Sequence, residues 1–243
     1  MFKYETHLHS SEGSACAYSS AKELVRIYHE CGYSGFALTN HFVTGNTSVS
    51  CSLDWKSQMN QFYECYLEAK EEGDKLDFDV FFAMEHGYGC GKEVLVYGVD
   101  LEFYIAHPEL SKRNIDVLAQ CVHEAGGIVV HAHPHRRRVY IQDSVQPRYD
   151  VCDGIEVFNA CDEMMTNNLA WVDAMKLNKI MTSGGDIHKR QDERIGQAGM
   201  VFEERLRTEQ EFLNALKGGK GKILIQGTTE IWDENFNHNS RKD

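Results

Sequence analysis

The sequence predicts an α/β chain of βα units on a mainly parallel sheet. Short β-branched and aromatic runs alternate with longer helical patterns over nearly the whole length, which is the pattern of strands followed by crossover helices. No internal repeat, low-complexity stretch or long Pro/Gly/Ser linker interrupts that alternation, and there are only three prolines. At 243 residues and 42% hydrophobic composition the chain suffices for one large α/β barrel or two small domains. One domain over residues 1–243 is the economical reading, with a polar tail from about residue 233.

In chain order, strands are expected at Phe2–Leu8, Gly35–Thr39, Phe78–Met84, Val94–Val99, Ile128–His131, Gly154–Phe158, Ile180–Ser183, Met200–Phe202 and Ile223–Ile225. Helices are expected between them. Ser20-Ala21-Lys22-Glu23 and Thr208-Glu209-Gln210-Glu211 are capping boxes that open two of these. A long helix should run from Leu53 to a stop at Gly73-Asp74, and Ser111 should cap another that ends at Ala125-Gly126-Gly127.

Composition excludes several functions. With 37 acidic against 25 basic residues the net charge is −12, which disfavours binding to duplex nucleic acid, because that requires a basic footprint to displace counterions. The N-terminus runs directly into a polar, histidine-rich segment, so no export signal is read there. The longest apolar runs fall far short of the roughly 20 residues that cross a bilayer. Eight scattered cysteines (Cys16, Cys31, Cys51, Cys65, Cys90, Cys121, Cys152 and Cys161) form no C-x-x-C pair and read as reduced thiols in the core or on the surface. A soluble cytoplasmic protein is expected. No oligomeric state is read from the sequence.

The twelve histidines carry the chemistry. His7-Leu8-His9 closes the first strand, where alternation puts both imidazoles on one face, a good arrangement for zinc, manganese or iron. Alone such a pair is weak evidence. Nearly every expected strand, however, ends in a potential ligand: Thr39-Asn40-His41, Met84-Glu85-His86, His131-Ala132-His133-Pro134 and Gly184-Gly185-Asp186-Ile187-His188. In a βα barrel the strand ends converge on one rim, so ligands distant in sequence become neighbours. Alternation points His86 away from Glu85's side. His29, His107, His123 and His238 fall on helix or loop patterns and read as solvated or structural.

Taken in order, Glu5-Thr6-His7-Leu8-His9-Ser10, Thr39-Asn40-His41, Glu85, Ala132-His133-Pro134, Asp153-Gly154-Ile155-Glu156-Val157-Phe158-Asn159 and Ser183-Gly184-Gly185-Asp186-Ile187-His188 resemble the motifs of the PHP family, the polymerase and histidinol phosphatase domain. The likeness runs from residue 5 to about residue 190. It implies a distorted (β/α)7, TIM-like barrel with two or three divalent ions (zinc, manganese or iron) and phosphoester hydrolysis. Carried over by motif, His7, His9, Glu85 and Asp186 would hold one ion. Glu85, bridging, and His133 would serve a second, and His41, His188 and Glu12 a third. Glu156 and Asn159 would orient ligands.

Two departures from the family pattern stand out. Thr39-Asn40-His41 replaces a carboxylate beside the expected metal, and the stretch Glu93-Val94-Leu95-Val96-Tyr97-Gly98 lacks a ligand histidine, leaving water, Glu93 or His131 to complete the second ion.

Three divalent ions, about +6, against the carboxylates of Glu12, Glu85 and Asp186 leave roughly +3 locally to attract a small phosphomonoester. In-line attack by a metal-bound hydroxide is the expected mechanism, with His135 or metal-bound water as general acid and Arg136 gripping a phosphate. The alternatives are an amidohydrolase-like metal-dependent hydrolase, a protein-tyrosine phosphatase of the PHP type, and a non-catalytic metal-binding regulatory module.

Overall fold

The computed structural model describes residues 1–142 and 144–229, and the tail expected from about residue 233 lies outside them. All nine expected strands form: β1 (Phe2–Leu8), β2 (Gly35–His41), β3 (Asp79–Gly89), β4 (Lys92–Tyr97), β5 (Ile128–His131), β6 (Gly154–Asn159), β7 (Ile180–Gly184), β8 (Ala198–Phe202) and β9 (Lys222–Ile225). They make one sheet in the order β7-β6-β5-β4-β3-β2-β1-β8-β9. Its first seven strands curl until β1 meets the chain beyond β7. There Asp186 N donates to His7 O at 2.7 Å and His9 N to Ile187 O at 2.9 Å. The result is a nearly closed seven-stranded barrel, and β8 and β9 extend the sheet beyond the seam.

The sheet is not mainly parallel, as the sequence pattern predicts. The β1–β2, β2–β3, β5–β6 and β6–β7 ladders are parallel. In contrast, β3–β4, β4–β5, β1–β8 and β8–β9 are antiparallel. The cause for β4 is local. β3 runs on to Gly89 and turns through Cys90 and Gly91, both with positive φ (54° and 74°), leaving no chain for a crossover helix. β4 therefore enters the barrel backwards, and its first residues, not its last, lie at the rim of the site.

The helices α1 (Ala21–Glu30), α2 (Trp55–Leu76), α3 (Leu101–Ala106), α4 (Ile115–Glu124), α5 (Met164–Leu177) and α6 (Glu209–Lys217) complete the elements. Both capping boxes are made, at Ser20 with Glu23 and at Thr208 with Glu211. Two boundaries differ from expectation. Gly73 does not stop α2; it lies inside the helix where an added Cβ would fall 2.5 Å from Phe78 O, and the stop is Asp77 in the left-handed region. Asn114, not Ser111, caps α4, its side chain accepting from Asp116 N and Val117 N, while Ser111 ends a short 3-10 turn.

Side-chain alternation sorts the strands into two packing faces. Phe36, Leu38, Val80, Phe82, Val94 and Val96 lie under the covering helices. Tyr4, Ala37, Phe81, Leu95, Tyr97 and Val130 form the second cluster with Phe212, Leu213 and Leu216 of α6. The Phe81 and Phe212 rings stack with centroids 4.4 Å apart. Among the described residues no helix is long and apolar enough to cross a membrane.

Glu209, in the first turn of α6, accepts from Phe82 N at 2.7 Å. Burial raises its carboxyl from 4.5 to about 7. In that window the folded state holds a proton that the unfolded state has released, so the stability it contributes below about 4.5 is lost as pH rises through about 7. Glu209→Gln should remove this slope. Urea unfolding across the window should show the wild type losing stability relative to the variant as pH rises; a constant difference would contradict the assignment.

Candidate metal centre

Four strand ends, the interior of β3 and one strand start deliver a cluster of imidazoles and carboxylates to one rim. Alternation along β1 turns His7 and His9 to the same side, as their spacing predicts. β3 brings Glu85, and β2 brings His41. The chain leaves β5 through His133 (φ 28°) and leaves β7 through Asp186 (φ 53°). Both occupy the left-handed backbone region, which costs a non-glycine residue about 1–3 kcal/mol and here turns each side chain inward.

Glu85 is the hub. Its Oε1 lies 3.2 Å from His7 Nε2 and 3.0 Å from His133 Nε2, and its Oε2 lies 2.8 Å from His41 Nδ1 and 3.5 Å from His9 Nε2. Asp186 Oδ1 is 3.2 Å from His9 Nε2 and 3.6 Å from His7 Nε2 and from His188 Nδ1. Glu93, at the start of the reversed β4, comes within 3.6 Å of both His41 and His133.

Despite this crowding, His7 Nε2, His9 Nε2, His41 Nδ1 and Glu85 Oε2 are buried without a hydrogen-bond partner. Buried polar atoms left unpaired cost about 1–3 kcal/mol each, so four pointing at one place call for a ligand that bonds them together. Donor atoms of His7, His9 and Glu85, of His7, His133 and Asp186, of His41, Glu85 and Glu93, and of His9, His41 and His188 each gather within 4.8 Å. Nitrogen and carboxylate sets of this kind suit divalent zinc, manganese or iron.

The electrostatics agree. Burial alone would lower the His7 and His41 imidazoles, yet the carboxylates Glu156, Asp186 and Glu85 around His7, and Glu85 beside His41, lift both well above the usual range. Burial would likewise raise Glu85 and Asp186, but His7 and His41 around the first, and Arg136 and His7 around the second, hold them well below it. Burial, aided by the charge of Glu85, raises Glu93. The pocket stabilises negative charge by surrounding it with cationic partners, the condition a bound cation meets most directly.

Behind the ligands a supporting layer fixes tautomers and orientation. Glu156 Oε1 lies 2.9 Å from His7 Nδ1, and Glu156 Oε2 accepts from His133 N and Asn159 Nδ2, each at 2.9 Å. Ser14 Oγ lies 3.1 Å from His9 Nδ1. A Cβ at Gly184 would sit 2.4 Å from His7 Cβ and 2.7 Å from Glu156 Oε1, so only glycine lets β7 pass this close. Asn40 accepts from Ser10 N at 2.8 Å and donates to Ser10 Oγ, holding the loop after β1.

Three expected site residues are placed elsewhere or otherwise engaged. Glu12 does not join the ligands: both its oxygens accept from Ala21 N at 3.2 Å, at the start of α1, where the helix dipole favours an anion. His135 Nε2 lies 2.7 Å from Asp173 Oδ2 and 3.3 Å from Tyr149 Oη, outside every ligand group. Arg136 reaches the site but is not a free fork. It donates to Asp186 Oδ2 at 2.6 Å, to Asn159 at 3.0 Å and to Asp162 at 2.8 Å.

His131 also turns aside, to Tyr88 Oη at 2.7 Å, because the chain bends after it and breaks the alternation that would pair it with His133. His86 points away as expected, its ring 4.1 Å from that of Phe42. One residue beside the site carries no signal in the sequence: burial would raise the Cys16 thiol, but the nearby His188 and His41 bring it down to about 6. A lone cysteine without a C-x-x-C partner gives no warning of that position.

No curated protein matches the sequence. The PHP-associated family model matches residues 165–220, from α5 to beyond α6. Among solved structures, the chain superposes on a two-domain protein from Bacteroides vulgatus that contains a predicted PHP-like metal-dependent phosphoesterase. The TM-score is 0.67 at 15% identity, over 93% of this chain and 65% of that one.

The chain has the PHP-type fold.

It spans less than two thirds of the Bacteroides protein's length. The same PHP-type barrel superposes on a lesion-specific endonuclease from Pyrococcus furiosus with TM-score 0.60 and 16% identity, covering 91% of this chain and 57% of that one. It also superposes on an amidohydrolase from Chromobacterium violaceum, solved with sulfate and no metal, with TM-score 0.58 and 15% identity, covering 88% and 96%.

Glu156→Gln tests the supporting layer. Loss of such a partner lowers metal affinity about 10–100-fold. Chelator competition should show that loss with unchanged circular dichroism, and native affinity in the variant would remove Glu156 from this role.

Proposed function

We propose that the chain is a metal-dependent phosphoesterase that hydrolyses a small phosphomonoester. The observation that carries this reading is the convergence of unpartnered buried donor atoms from His7, His9, His41 and Glu85 on the rim of a PHP-type barrel. His7, His9, Glu85 and Asp186 would hold one divalent ion, Glu85, His133 and Glu93 a second, and His41 and His188 a third. Bound there, zinc, manganese or iron would supply Lewis acidity toward phosphoryl oxygens and an activated water.

The chain's own side chains prepare that chemistry. Glu156 orients His7 and the backbone of His133, so that both rings face the hub. Arg136 holds Asp186 Oδ2 and leaves Oδ1 facing the imidazoles. Its positive charge, buried beside the cluster, also favours an incoming phosphate over a neutral substrate. Small substrates fit the net charge of −12 better than a polyanion does. The Pyrococcus fold neighbour is a lesion-specific endonuclease, so an oligonucleotide belongs in the test.

Protein stripped with a chelator and reloaded with manganese, iron or zinc should release phosphate from a panel of monoesters including phosphotyrosine. Hydantoins and amides should be inert. Metal-dependent cleavage of DNA without monoester turnover would replace the substrate class, and amide hydrolysis would replace the reaction. His9→Ala and Asp186→Ala should each reduce turnover to background while the fold persists; full activity in both would remove the proposed site.

A further inference from the structure

β1 breaks its register with β2 between Glu5 and Leu8, so that two residues, Thr6 and His7, stand against one, Ala37. On its other edge β1 pairs with β8 only from Phe2 to Tyr4. Beyond Tyr4 the strand meets the chain that leaves β7. The seam of the barrel is therefore also the place where the ladders of β1 are interrupted. Buried N–H groups at such a break need an acceptor from elsewhere.

The side chain of Glu5 supplies it. Glu5 is 1% exposed, and its Oε1 accepts from Thr6 N at 2.8 Å, from His7 N at 2.9 Å and from Gly185 N at 2.8 Å. Its Oε2 accepts from Tyr28 Oη of α1 at 2.9 Å. One oxygen thus ties the backbone of a ligand on β1 to the residue before a ligand on the chain beyond β7. Neighbouring bonds hold the same two segments together: Asp186 N donates to His7 O at 2.7 Å, and Thr6 Oγ1 to Ser183 O at 2.8 Å. A Cβ at Gly185 would fall 2.6 Å from Glu5 Oε2, which leaves no room for a side chain while the carboxylate stays in place.

We propose that Glu5 is a positioning residue of the metal centre, holding the His7 and Gly185 amides on one oxygen and so setting the place of His7 relative to Asp186. Asp186 Oδ1 stands 3.6 Å from His7 Nε2, and a shared cation requires both within about 0.5 Å of their productive places. Glu5 touches no ion. It acts through the backbone, whereas Glu156 acts on the His7 ring. The seam needs an acceptor oxygen at this point, which a glutamine side chain also provides. Glu5 has this role only where the cluster binds cations, as proposed above, so metal-free and metal-loaded protein are both measured.

Hydrogen exchange of the metal-free full chain reads the seam. The Thr6, His7 and Gly185 amides should exchange faster in Glu5→Ala than in wild type, and at the native rate in Glu5→Gln. Competition for zinc against a chromophoric chelator reads the centre. The tightest zinc should bind about 10–100-fold more weakly in Glu5→Ala and with native affinity in Glu5→Gln. Phe212→Leu, which loosens the stack on Phe81, should lower the melting temperature and keep native zinc affinity. If Glu5→Ala fails to fold, Glu5→Asp, too short to reach Gly185 N, carries the same expectations. Unchanged amide exchange or native zinc affinity in the folded Ala or Asp variant would overturn the positioning role and leave the metal centre standing. So would an equal loss of affinity in Glu5→Gln or in Phe212→Leu. Absence of zinc binding by wild type would overturn the metal centre itself.

Discussion

A carboxylate without solvent access sits among four imidazoles, and the rest of the rim is arranged around it. Glu85 is 1% exposed and has His7, His9, His41 and His133 within 3.5 Å of its two oxygens. A buried charge of that kind is stable only where opposite charge and directed donors replace the water it has lost. His7 and His41 supply most of that opposite charge, so removing either leaves the carboxylate less well compensated in a dry site. For this reason the strands cannot shift register independently: each supplies a group whose place is set by the same carboxylate.

The barrel supplies the convergence and the antiparallel strand adds to it. Parallel strands deliver their C-terminal residues to one rim, which places His7, His9, His41, Glu85 and Asp186. β4 runs the other way, so its start lies at that rim and contributes Glu93 between His41 and His133. A helix-connected β4 would have presented Tyr97 there. The tight turn at Cys90-Gly91 is thus linked directly to the ligand count of the second group.

Much of this was legible in the sequence because it depends on short-range periodicity. Strand existence, the shared face of His7 and His9, the outward turn of His86 and both capping boxes follow from two- and 3.6-residue repeats, and the structure has each of them. What was not legible depends on where loops travel. Glu12 lies three residues beyond His9, but the intervening turn carries its side chain to the start of α1. His131 and His133 look paired by alternation, yet the backbone changes hand at His133. Cys16 lies in a loop whose path is fixed by hydrogen bonds to Asn46 and His188, residues far from it in sequence.

Arg136 shows how the same residue type can serve a different purpose from the one its position suggests. Just past an Ala-His-Pro motif, an arginine reads as a phosphate fork. Here Asp162, Asn159 and Asp186 share the guanidinium. That arrangement changes the local charge in a definite way. Glu85, Glu93, Glu156, Asp162 and Asp186 contribute about −5 and Arg136 about +1, so three divalent ions would leave about +2. The excess suits an anion, and Glu12, engaged at the start of α1, does not reduce it. An acidic protein can therefore hold a locally cationic pocket, provided that the carboxylates nearest the ions are few and the counter-charge is buried beside them.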